Sequence, residues 1–219
     1  LEIRSYLLKN QGGKFIDATQ TDAPDLFMPG MINEAIFTDY NNDNLPDLML
    51  VGEYTPIVFM KNTGGKFVNA TRETGTFEYS GWFNSTCPID IDNDGDLDYI
   101  VTNKGNNSFI QARKNEPVSI YWADVDKNSR LDFFLSYQTN GKEYPLYQMD
   151  EMAMAFPSFL AKKFPSYSSY AGKTMEEIFG AENLSQSKMF ANTFSHLVLV
   201  NNGGVFTVSD LPWGSQVGP

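Results

Sequence analysis

Residues 90–98 read DIDNDGDLD and run straight into Tyr99-Ile100-Val101. Two other stretches share the pattern. Residues 39–47 read DYNNDNLPD before Leu48-Met49-Leu50-Val51, and residues 124–132 read DVDKNSRLD before Phe133-Phe134-Leu135. All three fit D-x-[DN]-x-[DN]-x-x-x-D followed by an apolar segment. A hard cation such as Ca²⁺ takes six to eight oxygens in flexible geometry, and carboxylates at alternate positions of a tight loop converge to supply them. The spacing predicts side-chain ligands Asp39, Asn41, Asp43 and Asp47 in the first loop, with the Leu45 carbonyl. In the second they are Asp90, Asp92, Asp94 and Asp98, with the Asp96 carbonyl. In the third they are Asp124, Asp126, Asn128 and Asp132, with the Arg130 carbonyl. Position six should turn left-handed; Gly95 serves that best, Asn44 tolerates it and Ser129 suits it least. The second loop should bind most tightly. The third should be weakest, because Asn128 is neutral and Lys127 and Arg130 add positive charge.

A second repeat interleaves with the first. Residues 7–19 read LLKNQGGKFIDAT, 59–71 read FMKNTGGKFVNAT, and 198–208 read VLVNNGGVFTV. Each is an apolar run, then Asn-x-Gly-Gly-x-Phe, then a second run. Adjacent glycines supply the positive φ of a tight hairpin. The first two turns lie 52 residues apart and the first two acidic loops 51 apart. A period of about 50 residues holding four short strands is the mark of a propeller blade. The fold expected is mostly β: a partial β-propeller of three to four blades with a helical insertion.

The EF-hand, the rival acidic loop, needs a glutamate at position 12 and helical flanks. Here position 12 is Leu50, Val101 or Leu135, and the flanks are β-like. The stretch 145–195 breaks the repeat. Asp150 is expected to cap a helix running to about Lys163, and Thr174 a second short one. Propeller blades are expected over 1–144, a helical insertion within the third blade over 145–195, and return strands completing that blade over 196–219.

The acidic loops alternating with Asn-x-Gly-Gly-x-Phe turns resemble FG-GAP/VCBS repeats, the calcium-bearing blades of integrin α-chain propellers and of many secreted bacterial proteins. Tyr144-Pro145-Leu146 and the stretches at 156–164, 166–171 and 175–179 resemble a segment of bacterial VCBS proteins of the ASPIC/UnbV-associated type. The resemblance implies a propeller outside the cytoplasm (secreted, periplasmic or at the cell surface), calcium in the loops, and a role in recognition or adhesion of a protein or glycan ligand.

Composition agrees. The chain has 219 residues, 27 acidic and 16 basic, for a net charge of −11. The acidic balance argues against nucleic acid, which needs a basic face. No apolar run approaches the roughly 20 residues of a membrane-spanning helix. The single cysteine, Cys87, excludes an internal disulfide and is expected to be buried and inert. The lone histidine, His196, is expected to be structural or at the surface, since the sequence offers it no partner set for catalysis. The phase of the repeats predicts a piece of a larger propeller, with open edges across which a homodimer could form. The function expected is non-catalytic. The alternative is the scaffold of a polysaccharide lyase or hydrolase.

Overall fold

A computed structural model describes residues 4–26, 29–185 and 187–217. Mostly antiparallel strands with a few short helices divide into two compact units. One comprises Leu1–Phe109 with Thr193–Pro219, the other Ile110–Asn192.

The first unit opens with a hairpin of β1 (Leu8–Gln11) and β2 (Lys14–Asp17), followed by the single turn α1 (Thr19–Asp22). Next come β3 (Met31–Thr38), β4 (Asp47–Pro56), β5 (Val58–Asn62), β6 (Phe67–Asn69) and β7 (Ser80–Trp82). They form a sheet ordered β3-β4-β5-β6, with β7 also pairing β4. Then follow β8 (Thr86–Ile89) and β9 (Asp98–Val101), an antiparallel pair around the second acidic loop.

Residues of β4 alternate between two cores, as the two-residue period of a strand requires. Met49 and Val51 join Phe59, Tyr99, Leu199 and Phe206 on one face. Leu48 and Leu50 join Leu26, Val58, Met60 and Phe67 on the other. A strand buried on both faces reads as an unbroken apolar run, which is how Leu48–Val51 reads.

The second unit holds β10 (Val118–Ala123), β11 (Asp132–Thr139) and β12 (Lys142–Pro145). Five short helices follow: α2 (Met149–Ala155), α3 (Pro157–Lys163), α4 (Tyr167–Tyr170), α5 (Met175–Phe179) and α6 (Ala181–Leu184). Strand β13 (Lys188–Ala191) closes a sheet ordered β12-β11-β10-β13. Met152, Leu160, Ile178 and Phe179 of the helices, with Phe156 between α2 and α3, pack on Tyr121 and Phe134 of the sheet.

The single helix expected from Asp150 to Lys163 is two. Pro157 has no N–H to donate and forces Phe156 out of the helical region, to φ −128°. Asp150 is not the cap. Gln148 holds that position, with Glu151 closing a capping box. Thr174 caps α5 as expected, its Oγ1 accepting from Glu177 N at 3.2 Å.

Back in the first unit, β14 (Leu197–Asn201) and β15 (Phe206–Asp210) complete a sheet ordered β15-β14-β9-β8. This differs from the expectation that 196–219 closes the blade containing the helices. These strands pair with β9, Leu197 opposite Val101 and Leu199 opposite Tyr99, so they serve the second acidic loop. The physical reason is the open edge of β9. Residues 103–117 hold no Gly-Gly turn and form no named strand, so the third hairpin supplies the two outer strands.

Cys87 is exposed rather than buried, because β8 is an edge strand; Pro88 beside it fits an edge, where no ladder donor is needed. His196 is buried, and its Nδ1 accepts from Asn103 N at 2.8 Å. Among the described residues no helix is long and apolar enough to cross a membrane.

Candidate functional site

Each acidic loop joins two neighbouring antiparallel strands: β3 to β4, β8 to β9, and β10 to β11. All three are folded by one set of hydrogen bonds. The aspartate at position one accepts from backbone further along: Asp39 from Asp43 N and Asn44 N (3.1 and 2.8 Å), Asp90 from Gly95 N (3.3 Å), Asp124 from Asn128 N and Ser129 N (2.9 and 2.8 Å). The side chain at position five accepts from the N–H at position seven. Asp43 takes Leu45 N, Asp94 takes Asp96 N, and Asn128 takes Arg130 N.

The backbone turns left-handed at position six as expected, with φ of 63° at Asn44, 94° at Gly95 and 67° at Ser129. It does so at position four as well, at Asn42, Asn93 and Lys127, with φ of 56°, 61° and 60°. Sequence reasoning missed that second reversal. Asparagine at two of the three positions was its only signal, since asparagine enters this region more readily than most residues.

The loops gather carboxylates. One oxygen each from Asp39, Asp43 and Asp47 lie within 4.8 Å of one another, as do those of Asp90, Asp92 and Asp94, and those of Asp124, Asp126 and Asp132. Among the expected side-chain ligands, Asn41 turns its Nδ2 to Asp47 Oδ2 at 3.1 Å and its Oδ1 to Asp43 N at 3.0 Å. Asp98 stands outside the second group. Its Oδ2 accepts from Ile91 N and its Oδ1 from Asn201 N, both at 2.7 Å.

Asp96, expected to offer its carbonyl, also carries a buried carboxylate whose Oδ1 has no hydrogen-bond partner. Burial, then Asp94 beside it, raises the pKa of Asp96. Burial also raises Asp47, Asp92 and Asp132, with neighbouring loop aspartates adding to each rise. Crowded carboxylates and an orphaned oxygen are what a divalent cation would relieve, and an all-oxygen donor set suits calcium.

The ninth aspartate has a second task in two loops. Asp47 Oδ1 accepts from Asn62 N at 2.7 Å, while Asn62 Nδ2 donates to the Pro46 carbonyl at 2.9 Å. Asn201 repeats this with Asp98 and with the Leu97 carbonyl at 3.0 Å. In these two hairpins the asparagine of the Asn-x-Gly-Gly-x-Phe turn thus ties its hairpin to an acidic loop. Asparagine in all three turns was the signal for this.

Residues 39–101 match the family model of the FG-GAP-like repeat. They span the first two acidic loops and the Gly-Gly turn between them. The chain thus carries a repeat of the FG-GAP/VCBS family. No curated protein and no solved structure matches the chain.

Proposed function

We propose that the chain is a calcium-binding, propeller-type module of three to four blades. It acts outside the cytoplasm in recognition or adhesion of a protein or glycan ligand, and it is non-catalytic. One observation carries this reading: three loops at equivalent places between antiparallel strands each bring three carboxylates within 4.8 Å. The cation would be held by Asp39, Asp43 and Asp47, by Asp90, Asp92 and Asp94, and by Asp124, Asp126 and Asp132. Asn41, Asp98 and Asn128, with the carbonyls of Leu45, Asp96 and Arg130, complete the candidate sets. When bound it would neutralise each cluster and fix the loop between its strands. Pairing of open strand edges between two copies belongs to the same reading.

Thermal unfolding tests it. A ligand that binds only the folded state stabilises it by RT ln(1 + [L]/Kd), about 2.7 kcal/mol at one hundred times Kd. Melting should shift down in excess chelator and recover with calcium but not with equal magnesium. An unchanged melting temperature sinks the calcium reading.

A further inference from the structure

The second unit holds an open cleft of about 410 Å³ between the third acidic loop and α3. That volume lies within the roughly 300–1,000 Å³ of small-ligand pockets. Its apolar wall is Val125 and the half-buried ring of Phe159. Its charged groups are mostly cationic: Lys127 from the loop, and Lys162 and Lys163 from α3. Ser158 adds a hydroxyl, and Asp126 is the one acidic side chain among the lining residues. In a chain of net charge −11, three lysines at one cleft run against the surrounding charge. Carboxylates do not hold them. Among the described residues, the side chains of Lys127, Lys162 and Ser158 have no hydrogen-bond or ion-pair partner. Lys163 Nζ donates to the Ile178 carbonyl at 2.8 Å and lies 5.8 Å from the centre of the Phe159 ring. An ammonium has three donors, so that bond leaves two of them available.

We propose that this cleft binds an acidic sugar, a uronate residue of a glycan. The inference rests on the recognition reading above and gives it a ligand class. The free ammonium groups of Lys127 and Lys162 supply charge-assisted hydrogen bonds to the uronate carboxylate. A pyranose ring also has an apolar C–H face, which covers Phe159 and Val125, while its hydroxyls reach Ser158 and Asp126. An acidic peptide side chain brings the carboxylate without the flat face or the hydroxyls, and fills less of the cleft. Asp126 makes the cleft sensitive to a cation as well. It is one of the three carboxylates that the third loop gathers. Without a cation, that cluster repels an anion placed beside it. A divalent cation in the loop removes the repulsion and leaves the lysines to dominate. Sugar and cation therefore favour each other at this loop, and such linkage is reciprocal.

The probe is an end-labelled trimer of galacturonic acid, titrated with the full chain in calcium and read by fluorescence polarisation. Saturable binding is expected. The methyl-esterified trimer keeps the rings and loses the charge, and should bind about ten-fold more weakly. Lys162→Glu should weaken binding of the acid trimer by about ten-fold or more, and Lys127→Asn should weaken it too. Both positions are exposed, and asparagine suits the left-handed φ of 60° at position 127, so both variants should fold. Absence of saturable binding, equal binding of the ester, or unchanged binding by either variant overturns the proposal. Tighter binding of a labelled polyglutamate peptide would assign the cleft to acidic peptides and overturn the choice of a sugar. Excess chelator should weaken trimer binding. Trimer binding that persists in chelator, with no calcium shift in melting, removes the calcium reading and leaves the sugar cleft standing. A calcium shift in melting without trimer binding does the reverse.

Discussion

Asp98 and Asn201 lie 103 residues apart in sequence, and Asp98 Oδ1 accepts the backbone N–H of Asn201 at 2.7 Å. Both residues are buried. The contact joins the end of the second acidic loop to the turn of the last hairpin. Asp98 also accepts from Ile91 N through its other oxygen. Asp98→Ala leaves two N–H groups without a partner, and each such loss costs about 1–3 kcal/mol when buried. Urea unfolding in chelator, which separates this role from any cation, should show a loss of about 3 kcal/mol. Asp98→Asn, which keeps one acceptor oxygen, should lose less.

Lys127 adopts φ of 60° at a position where the other loops have asparagine. A left-handed conformation costs an ordinary L-residue roughly 1–2 kcal/mol, and asparagine less. Lys127→Asn should stabilise the protein by about 0.5–1 kcal/mol, measured by urea unfolding in chelator. Asn93→Ala should destabilise it by a similar amount.

Calcium titration by calorimetry should resolve unequal sites. The second loop carries five aspartates, whereas the third has the neutral Asn128 with Lys127 and Arg130 beside it. Ligand charge tunes affinity in such loops. Asp92→Asn should therefore remove the tightest step and leave the weaker ones. Asp126→Asn should remove the weakest step.

Glu143 sets a pH dependence away from the loops. Burial pushes its pKa up, but hydrogen bonds from Ser136 Oγ (2.5 Å) and Tyr121 OH (2.6 Å), with Lys188 at 3.2 Å, outweigh burial and leave it below the ordinary value of 4.5. The group is more acidic folded than unfolded. Its contribution is complete above pH 4.5 and is lost as pH falls through the depressed folded value. Glu143→Gln should cost about 1.5–3 kcal/mol at pH 7, the range for hydrogen bonds to charged groups. The gap between the two proteins should close as pH falls below 4.5, read by thermal unfolding across a pH series.

Much of the candidate site was legible because its rules are local. A nine-residue aspartate pattern fixes its own loop through hydrogen bonds spanning two to seven residues, and Gly-Gly fixes its own turn. Pairing over long distance was not legible. Leu197 and Leu199 would suit any open apolar edge, and nothing in their side chains names β9 rather than a nearer strand. The break at Pro157 was readable from the missing N–H, yet the run of apolar residues across it masked the stop. Exposure of Cys87 depended on β8 being an edge, a property of the assembled sheet and not of the segment.

The pairing of β9 with β14 also sets an order of events during synthesis. Chain is made at about 5–20 residues per second. One side of β9 therefore stays without its neighbour for on the order of ten seconds, while Ile110–Asn192 is translated. Contacts of such sequence separation form slowly once the chain is free. An edge waiting that long is a template for wrong partners. The nascent protein therefore passes through a vulnerable interval that closes only when the hairpin around Gly203 and Gly204 arrives.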